Sequence, residues 1–449
     1  MNSSTISAPL TRLATILLGL AIVPFLGLLA LALPRFHTGL GTDQIVTFYV
    51  VPFLVVVGLA VVIRSRPAVR VAVALLLCSL GGAALAGEVV AGFILGGSES
   101  RSEPAGTERS LADRVMDLRA AGLDAYPNVS GNIVVNSSPE LVAAGTSFYP
   151  VSPSRASSVI AMCTETVEDV VYRSDRFGFN NPDSVWDAGH ADLLLVGDSY
   201  TQGLCISAEG QITAFLPPQW TTVNLGWMGA GGLLELATMR EYGADFRAPA
   251  VVWIYYEGND RYDLSREVER AWLTAYLDPD HRQGLRALYP AADIAYAEWI
   301  EALVTDRPGS TPSASGRFSP RDAVTLSRLR QLSGFGVIFP SRTSAIGRLP
   351  DVLERARLDV EGWGGTLYLG YMPAYQRYRA LVGEGVPGKR ELLEAANELG
   401  IEVIDFDAAF RAHRRPRSLW AHPRGHLSAE GNRIVAEEIA EAVRERVRR

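Results

Sequence analysis

Residues 13 to 33, LATILLGLAIVPFLGLLALAL, carry no charge over 21 positions. A helix of about 20 apolar residues spans about 30 Å of hydrocarbon, so this run limits what the chain can fold into more than any other feature. It is longer than the apolar core of a cleaved signal peptide. Two further runs follow closely: Ile45 to Ile63 is uncharged, and Val71 to Leu95 is broken only by Glu88. Three transmembrane helices are expected within residues 1–97, the third ending near Gly87 with Glu88 at the interface. Pro24 and Pro52 are compatible with spans, because neighbouring groups satisfy the carbonyls that proline frees. Arg64, Arg66 and Arg70 crowd the second link, whereas the first holds only Arg35 and Asp43. Positive loops stay inside, which puts everything after the third span on the outer side, the periplasmic face of a bacterial plasma membrane.

The remaining 350 or so residues are enough for a sizeable core. The net charge of −7 offers no broad positive field, so nucleic acid is not an expected partner. Of the 42 basic residues, all but Lys389 are arginine, a skew that says little until guanidinium groups converge on a site. Cys78 falls in the third span, leaving Cys163 and Cys205 as a disulfide candidate in an oxidising compartment.

Residues 98–154 are rich in Ser, Gly, Pro and charge and read as a stalk with one helical stretch, Leu111 to Ala121. From there to residue 449, apolar runs alternate with amphipathic stretches. Strands are expected at Asp192–Val196, Thr222–Leu225, Val251–Tyr256, Thr366–Tyr371 and Ile401–Phe406. Helices are expected at Leu233–Tyr242, Leu349–Val360, Arg390–Leu399 and Ala429–Val447. That order argues a parallel α/β sheet. Residues 261–348 interrupt it with helical periodicity at Glu267–Leu277 and Asp293–Leu303 and a Ser/Pro/Gly stretch, Arg307–Pro320, as a helical insertion would.

Ligands meet a parallel sheet at the carboxyl ends of its strands. The first such turn, Gly197-Asp198-Ser199, presents a hydroxyl at the start of a helix, where Ser199 can be a nucleophile or a simple helix cap. The second carries Gly226 and Gly229. The third, Glu257-Gly258-Asn259-Asp260, offers the Asn259 amide. The N–H groups of Ser199 and Gly229 together with that amide make a three-donor set for an oxyanion. His426, in Gly425-His426-Leu427-Ser428, is the histidine best placed to act as a base.

In this order these blocks resemble the SGNH/GDSL-type hydrolases. The resemblance implies a flavodoxin-like three-layer α/β/α domain over residues 155–449. It further implies Ser199 as nucleophile, His426 as base, and Ser199, Gly229 and Asn259 as oxyanion donors. The family usually has Asp three residues before its His, where this chain has Pro423. Asp405, Asp407, His422 or a backbone carbonyl must then orient the imidazole. Arg411, Arg414, Arg415 and Arg417 form a basic run before this loop that suits an anionic glycan or headgroup, or a solvated face.

The expected activity is that of a membrane-anchored, extracytoplasmic serine esterase or O-acyl transferase acting on acyl esters of envelope or exported glycans. A link to envelope polysaccharide machinery is also expected. The alternative is a degenerate domain that binds glycan without turning it over. No metal cluster, phosphate loop or dinucleotide fingerprint is present in the sequence, and no cofactor is implied.

Overall fold

The structure is a computed structural model that describes residues 7–32, 49–101, 110–163, 170–305, 346–378, 388–421 and 425–448. The described residues fall into two compact units, one up to residue 101 and one from residue 110 onward.

The first unit is three helices: α1 (Ala8–Ala32), α2 (Val51–Ile63) and α3 (Pro67–Arg101). Small and branched side chains, Ala14, Leu18, Leu59, Val71 and Ala74, make its interior. Close approach of helix backbones needs small residues at such contacts. Its outer surface is apolar, with Leu13, Ile16, Leu20, Phe53, Leu54, Leu75 and Leu76 exposed. Two stretches, Ala8–Gly27 and Pro67–Glu88, are long and apolar enough to cross a membrane. The expected second span is helical over only 13 residues from Val51 among the described residues, and its expected start at Ile45 lies outside them. Pro52 sits at the opening of this helix, where its missing N–H costs nothing. The third helix runs on to Arg101, while its stretch apolar enough to cross a membrane ends at Glu88, in keeping with a span that ends near Gly87. Glu88 is buried within this helix.

The second unit is built on five parallel strands: β1 (Leu193–Gly197), β2 (Thr222–Asn224), β3 (Ala250–Tyr256), β4 (Thr366–Met372) and β5 (Glu402–Asp405). Their order is β5-β4-β3-β1-β2. β1 and β3 are neighbours in space while the chain runs outward from them in opposite directions, which is the switch point where such sheets bind ligands. Every residue of β1 is buried. Its continuous apolar run is what a strand covered on both faces requires.

Two cores follow from the period-2 alternation. Leu194, Val196, Val251 and Trp253 face one way, against α4 (Gly232–Thr238), α7 (Leu349–Gly362) and α8 (Lys389–Glu398). Leu193, Leu195, Val252 and Ile254 face the other, against α9 (Phe406–Ala412) and α10 (Ala429–Val447). Helix, sheet and helix make three layers.

Two expectations need correction. Residues 110–154 are not a free stalk: Val129, Val134, Val135, Phe148 and Val151 are buried in the first of these cores. Strand Ala125–Pro127 pairs in parallel with Val159–Ala161, and the Trp227 indole donates to the Val129 carbonyl at 2.7 Å. The apolar side chains here are too widely spaced to form a periodic pattern, so their burial is decided by tertiary packing. The insertion also begins differently. The helix expected at Glu267–Leu277 is broken into α5 (Asp260–Glu267), Ala271–Thr274 and a short 3₁₀ turn, Ala275–Leu277. A later helix, α6 (Ala291–Thr305), packs by Tyr296, Ala297 and Ile300. Arg307–Pro320 lies outside the described residues.

Candidate active site

The turn that carries Ser199 starts where β1 ends. Gly197 has φ +154°, and a Cβ there would meet the Thr201 hydroxyl at 2.3 Å and the Ile254 carbonyl at 2.7 Å, so only glycine fits. Asp198 caps the helical turn Ser199–Gln202, its Oδ1 accepting from the Tyr200 N–H at 2.9 Å. The cap is fully buried, and that burial raises the Asp198 carboxyl above its ordinary value. Ser199 opens the turn, with its N–H at a helix start where anionic oxygens are favoured.

His426 reaches Ser199 from the far end of the chain. Trp420 and Leu427 form an isolated antiparallel bridge, and the Ala421 N–H donates to the His426 carbonyl at 3.0 Å, closing the loop before α10. Ser428 caps α10. The half-buried imidazole then lies 4.8 Å from the Tyr200 ring, with Nε2 2.8 Å from Ser199 Oγ. Residues 227 positions apart in sequence make this contact.

The other two blocks close around the turn. The Trp227 N–H donates to the Gly197 carbonyl at 3.0 Å, and the Met228 N–H donates to Gln202 Oε1 at 3.1 Å. Gly229 has φ +68°, and a Cβ there would stand 2.3 Å from Ser130 Oγ. Among the described residues, neither the Ser199 nor the Gly229 N–H has an internal acceptor. Asn259 ends the turn after β3. Its amide donates to Asp263 Oδ2 at 2.7 Å, and from beside Ser199 it favours the charged form of the Asp198 carboxyl, a smaller effect than burial.

Of the expected orienters of His426, the two aspartates are engaged elsewhere. Lys389 Nζ lies 2.8 Å from Asp405 and 2.9 Å from Asp407, while Asp407 also takes the Tyr378 hydroxyl at 2.6 Å and Arg411 at 3.1 Å. Burial opposes ionisation of Asp407, yet Tyr378 and Lys389, joined by Arg411, hold its carboxyl below the ordinary range. The Lys389 ammonium sits between the two carboxylates. His422 and Pro423 lie outside the described residues. Cys163 and Cys205 are joined as a disulfide with Cα atoms 5.5 Å apart, six residues beyond the nucleophile.

Sequence reasoning missed Asn128, Asn132, Gln202 and Asp263. Gln202 is fully buried and exchanges two hydrogen bonds with Asn128, at 3.0 and 3.1 Å, while holding the Met228 N–H. Asn128 and Asn132 sit in the segment whose polar composition resembled a linker. Gln202, a polar residue three positions after a candidate nucleophile and followed by Gly203, is the signal that could have been followed. No metal-holding group of His, Cys, Asp and Glu occurs among the described residues.

No protein-family model and no curated protein matches the chain. Among solved structures, it is similar to the acetyl xylan esterase AlAXEase, at 14% identity and TM-score 0.31 over 56% of this chain and 98% of that one. It is also similar to a Bacteroides fragilis protein provisionally described as an acylhydrolase, at 11% identity and TM-score 0.31 over 59% of this chain and 94% of that one.

Proposed function

We propose that the chain is a membrane-anchored serine esterase or O-acyl transferase of the SGNH type, facing outward and acting on acyl esters, O-acetyl groups of envelope or exported glycans first among them. The observation that carries this reading is the 2.8 Å approach of His426 Nε2 to Ser199 Oγ at the sheet's switch point. Ser199 Oγ attacks the ester carbonyl carbon while its proton passes to Nε2. The carbonyl oxygen, now anionic, meets the Ser199 and Gly229 N–H groups and the Asn259 amide. Collapse breaks the C–O bond to the alcohol, which leaves with the proton from Nε2. Water or a sugar hydroxyl then resolves the acyl-Ser199 by the reverse steps, giving hydrolysis or transfer.

The anchor is supported by the apolar exterior of the first unit, which is costly in water and free of cost against lipid tails. We read all three helices as membrane segments, with an outward second unit whose disulfide suits an oxidising compartment. A second reading, glycan binding without turnover, rests on Pro423 at the position of the family's aspartate.

Turnover of a short-chain aryl acetate by the full-length protein in detergent micelles tests the choice. Ser199→Ala and His426→Ala are each expected to lower kcat by about 10³-fold or more. Equal turnover by both variants and the wild type would remove the mechanism.

A further inference from the structure

The oxyanion donor Asn259 needs its amide turned the right way round, and two carboxylates outside its own turn, Asp198 and Asp263, face its nitrogen end. An amide presenting its carbonyl to a developing oxyanion repels it, so orientation decides whether the residue helps or hinders. We infer that Asn132, contributed by the helix Gly131–Ser137 ahead of the sheet, is a positioning residue that holds this orientation by fixing Asp263, the carboxylate with the direct 2.7 Å contact to the amide. The inference rests on the acyl-serine reading given above.

The relay is continuous. Asn132 Nδ2 donates to Asp263 Oδ1 at 3.0 Å, and Asn259 Nδ2 donates to Asp263 Oδ2 at 2.7 Å. A carboxylate accepts only from the nitrogen end of an amide, so Asp263 fixes which end of Asn259 lies where. The cost of this choice is visible: Asn259 Oδ1 is buried with no partner among the described residues. An unsatisfied buried acceptor costs about 1–3 kcal/mol, and turning the amide over would cost more, because it would set Oδ1 against the Asp263 carboxylate. Asp263 is itself 2% exposed and has its second oxygen occupied by Asn132. Asn132 is in turn held from behind, since Arg266 Nη1 donates to its Oδ1 at 3.2 Å and the Arg266 guanidinium lies 4.2 Å from the Tyr262 ring centre.

Asn132 also touches the second donor. A Cβ on Gly229 would stand 3.0 Å from Asn132 Nδ2, so the asparagine packs directly against the oxyanion glycine. One side chain from outside the strand-end turns therefore braces two of the three proposed donors. This explains why residues 125–137 are built into the domain and do not hang from it.

The test measures the second-order rate at which a fluorophosphonate labels Ser199 in the full-length protein in detergent micelles, since phosphonylation develops charge on the same oxygen. Asn132→Asp keeps the shape and removes the donor, and Asp263→Asn removes one acceptor. Each is expected to slow labelling by about 10- to 100-fold, a fraction of what losing a whole donor costs. Combining them reverses the pair: the carboxylate introduced at 132 accepts from the amide introduced at 263, whose carbonyl again receives Asn259. The double variant is expected to regain most of the lost rate, which a generally loosened fold would not do. Wild-type labelling by Asn132→Asp, or a double variant slowed by the product of the two single effects, overturns the inference. If Asn132→Asp fails to fold, Asn132→Ser carries the single-site comparison. A wild-type protein that does not label at all removes the acyl-serine reading, and the inference with it.

Discussion

Two residues show how little latitude the site allows. At Gly229 both the backbone and the space demand glycine, because φ is +68° and Ser130 Oγ occupies the Cβ position at 2.3 Å. Gly229→Ala is expected to cost about 1–3 kcal/mol, read as a thermal midpoint lower by several degrees, and to reduce aryl acetate turnover with it. An unchanged midpoint and turnover would contradict the close approach of residues 130 and 229. Glu267 shows the same economy with charge. Its two oxygens take the N–H groups of Gly231, Leu233 and Leu234 at 2.7, 2.9 and 3.3 Å, and burial nonetheless pushes its carboxyl up to about 8. The folded protein then keeps this proton until about pH 8, whereas the unfolded chain loses it near 4.5. Between those values the folded state binds more protons, so its stability falls as pH rises through the window. Melting of the full-length protein from pH 5 to 8 should show the midpoint descending, with a shallower descent in Glu267→Gln. A midpoint that rises with pH in both proteins would contradict that assignment.

Among the elements, β1, β3 and β4 were readable because both their faces are buried, which forces an uninterrupted apolar run on the sequence. Helix α10 was readable from end to end, its cap Ser428 preceding a stripe of Val435, Ala436, Ile439 and Val443. Helix α5 was not. Its sequence, DRYDLSRE, is polar throughout, and it buries Asp260, Asp263 and Glu267 among hydrogen bonds that no hydropathy pattern encodes. The site divided the same way. The turns that hold Ser199, Gly229, Asn259 and His426 were legible at the strand ends, but Asn128 and Asn132, which the structure brings beside them, lie in a segment whose polar composition reads as a linker. The Cys163–Cys205 crosslink ties the chain just after strand Val159–Ala161 to the turn that follows Ser199, across a separation of 42 residues. A loop of that length restrains the unfolded chain by about 4 kcal/mol in the chain-entropy account. Replacing both cysteines with serine should lower the thermal midpoint by several degrees. No change would mean that the crosslink contributes nothing to folding.

For the molecule as a whole, the proposal separates chemistry from placement. In that proposal the two long apolar helices and the shorter Val51–Ile63 are read as the anchor, and the arginines between α2 and α3 as what sets its direction. An alkaline phosphatase fused after residue 110 should therefore be active in a bacterial host, and an inactive fusion would reverse the orientation. The chemistry depends on whether the Ser199 hydroxyl is activated. The most direct measurement is to expose the full-length protein to a fluorophosphonate, digest it and locate the adduct by mass spectrometry. A single adduct on Ser199 that disappears in His426→Ala is the predicted result. An adduct elsewhere, or none on a folded protein, would contradict the account.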